Sequence, residues 1–114
     1  IRKCSGIRIV NIKIPNIENG VECSRLVQAL RYVFEKVPEA NIVNLSLGVN
    51  VEESGELYDI CNELSQKGVI IISAFDNANS ISYPAAYENV IGVVSGNECV
   101  KTSDFVVIYG RYCC

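Results

Sequence analysis

Histidine is absent from this 114-residue chain, and that omission alone removes two kinds of chemistry from it. No imidazole is left to act as the base beside a serine or cysteine nucleophile, and no mixed cysteine–histidine zinc site can form. The six cysteines (Cys4, Cys23, Cys61, Cys99, Cys113 and Cys114) contain no CxxC pair, so we expect no metal site and no cofactor. Methionine is missing too, even at position 1, which leads us to expect an excised or processed piece of a longer product. No apolar run approaches the roughly 18 residues of a membrane span, and the start, Ile1-Arg2-Lys3-Cys4-Ser5-Gly6, lacks an apolar signal core. GxGxxG and P-loop motifs are also lacking. The Lys and Arg residues are scattered from Arg2 to Arg111 under a net charge of -3, which disfavours binding to a phosphate backbone. Neither nucleic acid nor membrane is an expected partner.

What is present describes a folded object. Hydrophobic residues make up 49% and charged residues 20%, the balance of an ordinary globular domain. A chain of this length has one core, burying about two-thirds of its unfolded surface. The cysteines could in principle form a disulfide framework, but Cys23 and Cys61 read as small buried hydrophobes on helices. That favours reduced thiols and a cytoplasmic setting, without excluding a secreted parent.

Ile7, Ile9, Ile12 and Ile14 form a β-branched run that predicts a strand ended by Pro15. After a polar loop from Pro15 to Glu22, Leu26, Val27, Leu30, Val33, Phe34 and Val37 recur at helical spacing until Pro38 stops the pattern. A strand is expected at Asn41 to Leu45. A second helical stripe, Leu57, Ile60, Cys61 and Leu64, has Glu52, Glu53 and Glu56 at its start and Lys67-Gly68 at its end. The apolar runs Val69 to Ser73 and Val90 to Val94 predict strands buried on both faces, and Phe105 to Ile108 a last strand. This order is that of right-handed crossovers in a parallel sheet flanked by helices, an α/β fold. With no linker or repeat dividing it, residues 1–114 read as one piece of one domain. The acidic face Glu52, Glu53, Glu56, Asp59 and Glu63 reads as a solvated surface.

In open parallel sheets ligands bind beyond the carboxyl ends of the strands. Two loops qualify, Ser46-Leu47-Gly48 and Phe75-Asp76-Asn77-Ala78, and both should open on the same edge. An asparagine there can donate hydrogen bonds to a developing oxyanion without changing charge, although on residue type alone Asn77 is an ordinary turn former.

The segment Asn44-Leu45-Ser46-Leu47-Gly48, the strand Val69-Ile70-Ile71-Ile72-Ser73-Ala74 running toward Asn77, and the following Tyr83-Pro84-Ala85 together resemble the middle of a subtilisin-like serine peptidase (subtilase) domain. The agreement in order and spacing extends over about Ile7 to Val94. The resemblance implies a three-layer parallel α/β sheet truncated at both ends, with Asn77 as oxyanion donor and Ser46, Leu47 and Gly48 lining the non-primed substrate sites. It also implies that Ser73, Ala74, Phe75 and Asp76 wall the pocket for the residue before the scissile bond, and that the Tyr83-Pro84 bond is cis.

Two departures bear on function. Phe75 and Asp76 stand where the family usually has alanine and glycine, so the pocket is either remodelled, with Asp76 facing a basic substrate residue, or closed. The family's aspartate and histidine motifs would precede Ile1, and its Gly-Thr-Ser nucleophile motif would follow Gly110. Lys101-Thr102-Ser103 lies too near Tyr83-Pro84-Ala85 to be that motif and reads as a loop, and Cys113-Cys114 has no flanking motif of a redox centre. The expectation is a fragment of a serine endopeptidase acting on peptide or protein substrates, inactive by itself. The alternative is a noncatalytic peptide-binding or interaction module. Exposed sheet edges would favour self-association.

Overall fold

The computed structural model describes residues 6–16, 20–50, 55–75 and 81–94. Two helices, α1 (Cys23–Lys36) and α2 (Glu56–Gln66), alternate with three strands, β1 (Ile42–Leu45), β2 (Ile70–Ala74) and β3 (Ile91–Val93). The strands form a parallel sheet in the order β1-β2-β3, with Ile42 beside Ile70 and Ile72 beside Ile91. This is the α/β arrangement expected, a parallel sheet flanked by helices.

Both helices follow from their apolar stripes. Leu26, Leu30 and Val33 of α1 and Leu57, Ile60, Cys61 and Leu64 of α2 are buried, and with Val49, Val69, Ile71 and Val90 they form one core. Each such side chain contributes roughly 1.5–3 kcal/mol when fully buried. Helix α1 ends before Pro38, where Val37 N–H still reaches Val33 O at 3.1 Å but the proline can no longer continue the ladder. Acidic Glu56 and Asp59 occupy the first turn of α2, where the helix dipole favours negative charge.

The end of α2 is a Schellman motif. Gly68 N–H donates to Ser65 O at 3.0 Å and Val69 N–H to Leu64 O at 3.1 Å, with Gly68 in the left-handed region at φ 86°. Val69 and Leu64, the two residues the motif brings together, are both buried. The turn thus delivers the chain directly into β2.

The two helices run parallel across one face of the sheet, as the ascending pairs 31–63 and 34–67 show. Arg31 pairs with Glu63 at 2.6 Å, and one turn further on Lys67 Nζ donates to Phe34 O at 3.4 Å while lying 4.4 Å from the Phe34 ring centre. Cys61 is fully buried on α2 and Cys23 partly buried on α1, in keeping with their reading as small hydrophobes.

Three sequence expectations are corrected. No strand is found in residues 6–16; Ile7, Ile9, Val10 and Ile12 stay exposed, because a β-branched run becomes a strand only where a neighbour accepts its ladder. Arg8 is held by an exposed ion pair to Glu39 at 3.2 Å, and only Ile14 of this stretch packs against the core. The two-sided burial expected of Val69–Ser73 is not found, since β2 alternates buried Ile71 and Ser73 with Ile70 at 49% exposure. Nor is it found for Val90–Val94, whose Ile91 and Val93 are exposed. The described helices cover one face, and the other presents Ile42, Ile70, Ile91 and Val93. The expected strand at 105–108 lies outside the described residues. Among the described residues no helix is long and apolar enough to cross a membrane, and no cluster of three or more His, Cys, Asp or Glu side chains could hold a metal ion.

Candidate functional site

Parallel strands point their carboxyl ends the same way, so the loops after β1 and β2 emerge together on one edge of the sheet. Ser46 is exposed, whereas Leu47 and Gly48 are half-buried. They lie beside the end of β2: Ser73, fully buried, donates its hydroxyl toward Leu47 O at 3.4 Å. That long contact gives the Ser73 oxygen its polar partner inside the core. Ala74 and Phe75 follow, both half-buried, and Phe75 N–H extends the ladder to Val93 O at 2.8 Å.

A third segment closes the edge. Residues 49 and 83 form an antiparallel bridge, with Val49 N–H to Tyr83 O at 2.8 Å and Tyr83 N–H to Val49 O at 2.7 Å. The Tyr83-Pro84 peptide bond is cis, as the resemblance implies. Beyond it the chain turns tightly, Ala86 N–H reaching Ser82 O at 3.0 Å and Tyr87 N–H reaching Pro84 O at 3.0 Å. Tyr87 then packs on Tyr83 and edge-on against Tyr58 of α2, each at 5.2 Å between ring centres. The 82–87 turn is therefore tied to the loop after β1 by its backbone and to the helix layer by aromatic packing.

The structure thus brings Ser46, Leu47, Gly48, Ser73, Ala74 and Phe75 to one edge. Asp76 and Asn77 lie outside the described residues, as do Glu52, Glu53 and residues 101–103. Glu56 and Asp59 are exposed, and Glu63 is partly exposed in its pair with Arg31, consistent with a solvated face rather than an acid–base site. An open groove of about 470 Å³ between α1 and α2, lined among others by Val27, Arg31, Glu35 and Asp59, belongs to the helix layer and includes none of the strand-end residues.

The Val49–Tyr83 bridge escaped the sequence reading, because a single pair of reciprocal hydrogen bonds leaves no periodic trace. The partner of Phe75 escaped it too. A β-carbon placed on Gly92 would stand 2.5 Å from Phe75 Cε2 and 2.6 Å from Ala85 O, so the aromatic ring occupies the space that only a glycine leaves open. The usable signal was the unusual Phe75 itself.

The model of the subtilase family (Peptidase_S8) matches residues 3–106 of the chain. The chain belongs to the subtilase family. Over 68 residues, 57% of its length, this subtilase chain is 35% identical to the minor extracellular protease Epr of Bacillus subtilis (strain 168). The solved structure of the prenylagaramide maturation protease PagA shares its fold, with a TM-score of 0.56 at 22% identity over 63% of the chain. The matched regions span 10% of Epr and 27% of the PagA chain. The family match and the structural likeness establish subtilase membership and the parallel α/β fold.

Proposed function

We propose that this chain is the central part of a subtilisin-like serine endopeptidase domain, supplying the oxyanion donor and part of the substrate cleft. The observation that carries the reading is the convergence of residues 46–48, the end of β2 and the cis-proline turn on one sheet edge, tied by the Val49–Tyr83 bridge. In the full-length protein a serine hydroxyl, its proton taken by a histidine base, attacks the carbonyl carbon of a peptide bond. Asn77 donates to the resulting oxyanion; collapse to an acyl-enzyme releases the amine, which takes the proton back, and water then hydrolyses the ester. Histidine is absent from this chain, so the base comes from elsewhere in the protein and the 114 residues alone are inactive.

The test is Asn77→Ala in the full-length protein. Turnover should fall about 10²- to 10³-fold with little change in KM, a magnitude set by subtilisin's own oxyanion asparagine rather than calculated for this chain. An unchanged turnover would remove Asn77 from the mechanism. Labelling of the isolated 114-residue chain by a serine-directed fluorophosphonate would contradict its inactivity.

The Phe75 ring supports a second reading, a noncatalytic module that holds a peptide in a narrowed cleft. Binding of peptides by the full-length protein without hydrolysis would establish it, and ordinary hydrolysis would dismiss it. Self-association also belongs to this proposal: the open face with Ile42, Ile70, Ile91 and Val93 and the strand edges favour pairing of isolated chains. A monodisperse monomer in concentrated sedimentation runs would refute that part.

A further inference from the structure

Phe75 is two residues beyond Ser73, so strand alternation sets its side chain on the same face as the buried Ser73. Gly92 is the cross-strand neighbour of Ser73 in β3, and the Phe75 ring lies where a Gly92 side chain would begin, a point that is also 2.6 Å from Ala85 O. Leu47 O of the loop after β1 reaches this same face, where Ser73 Oγ donates toward it at 3.4 Å. Ala85 is itself buried and directly follows the cis-proline. The ring therefore plugs the space between the end of β2, β3 and the 82–87 turn. Because it is only half-buried, part of it still faces outward at the edge where substrate would lie.

We propose that Phe75, seated on Gly92, is a specificity-determining residue that makes the pocket for the residue before the scissile bond shallow, so that the protein selects peptides with glycine, alanine or serine there. This deepens the endopeptidase reading and rests on it. Of the two outcomes left open by the sequence, this proposal takes the closed pocket: a ring in that space leaves too little depth for a long lysine or arginine side chain. A misfit of even one methylene changes selectivity by about 10- to 200-fold in an apolar pocket, so a phenyl ring in that space is enough to control selection.

The experiment uses the full-length protein and four peptides that differ only at that position: alanine, leucine, phenylalanine or lysine. For the wild type, kcat/KM for the alanine peptide should exceed that of each other peptide by at least about 10-fold. In Phe75→Ala/Gly92→Ala the preference for alanine over phenylalanine should shrink at least about 10-fold. Gly92→Ala alone should lower the Tm, and the double variant should regain only the part of the loss due to the ring, since the added carbon still meets Ala85 O at 2.6 Å; that partial recovery shows the ring and the glycine to be coupled without reference to activity. Equal cleavage of the phenylalanine or lysine peptide by the wild type, or an unaltered preference in the double variant, would overturn the pocket assignment and leave the peptidase reading intact. If no peptide is cleaved, calorimetric binding of the same four peptides decides: a preference for alanine upholds the pocket while the endopeptidase reading falls, and absence of binding overturns both.

Discussion

Gly68 offers a clean test of how the chain is turned from α2 into β2. A β-carbon added there meets no atom within 4 Å, so Gly68→Ala changes backbone conformation without introducing a clash. Holding an L-residue at φ 86° costs roughly 1–2 kcal/mol. The alanine also restricts the unfolded chain, which returns roughly 0.4–1 kcal/mol. The net loss should be about 1 kcal/mol, and Gly68→Asn, whose side chain tolerates the left-handed region, should lose about half of that. With a urea dependence of about 2 kcal/mol per molar, Gly68→Ala should lower the midpoint by about 0.5 M in far-UV circular dichroism. An unchanged or raised midpoint would refute the left-handed turn. A loss above about 3 kcal/mol would show that packing, not backbone conformation, dominates at this position.

Leu57→Ala, at a fully buried site on α2, should cost about 2–5 kcal/mol in the same denaturation assay. Arg31→Ala should cost no more than about 1 kcal/mol, because both partners of its ion pair are more than a third exposed and water screens them; the small loss should shrink further in 0.5 M salt. Ser73→Ala should cost about 1 kcal/mol, since it removes one long hydrogen bond and leaves Leu47 O near the half-open edge; a loss several times larger would mean that Ser73 positions the whole loop. Tyr87→Leu should loosen the 82–87 turn from Tyr58 and Tyr83, seen as faster amide exchange at Val49 and Tyr83 with little change at α1.

The helices were readable because their information is local. The stripe from Leu26 to Val33 and the stop at Pro38 specify α1, and Lys67-Gly68 after the Leu57–Leu64 stripe marks the end of α2. Strand type was equally legible in 42–45 and 69–74. What the strands face was not: Ile70 and Ile91 read as core because an apolar run does not say which of its faces is covered. The run from Ile7 to Ile14 misled for a related reason, since β-branched residues fit a strand but cannot supply its partner. At the site, Ser46-Leu47-Gly48 and Tyr83-Pro84 could be picked out as motifs, yet their joining through Val49 depends on how two crossovers bring distant loops together. The seat of Phe75 on Gly92 is a tertiary fact of the same sort.

The reciprocal amide bonds between Val49 and Tyr83 fasten two loops of the strand-end edge that belong to different crossovers, the two lips of the proposed cleft. A cleft laced at that point cannot gape without breaking both bonds and exposing their polar groups. On the proposed peptidase reading its width is settled when the protein folds rather than when a peptide arrives, so little ordering is left to be done on binding. Such a cleft behaves as a gauge: it measures what enters against a fixed opening, and a sequence change that slackened the lacing would broaden what it accepts before it weakened how tightly it holds.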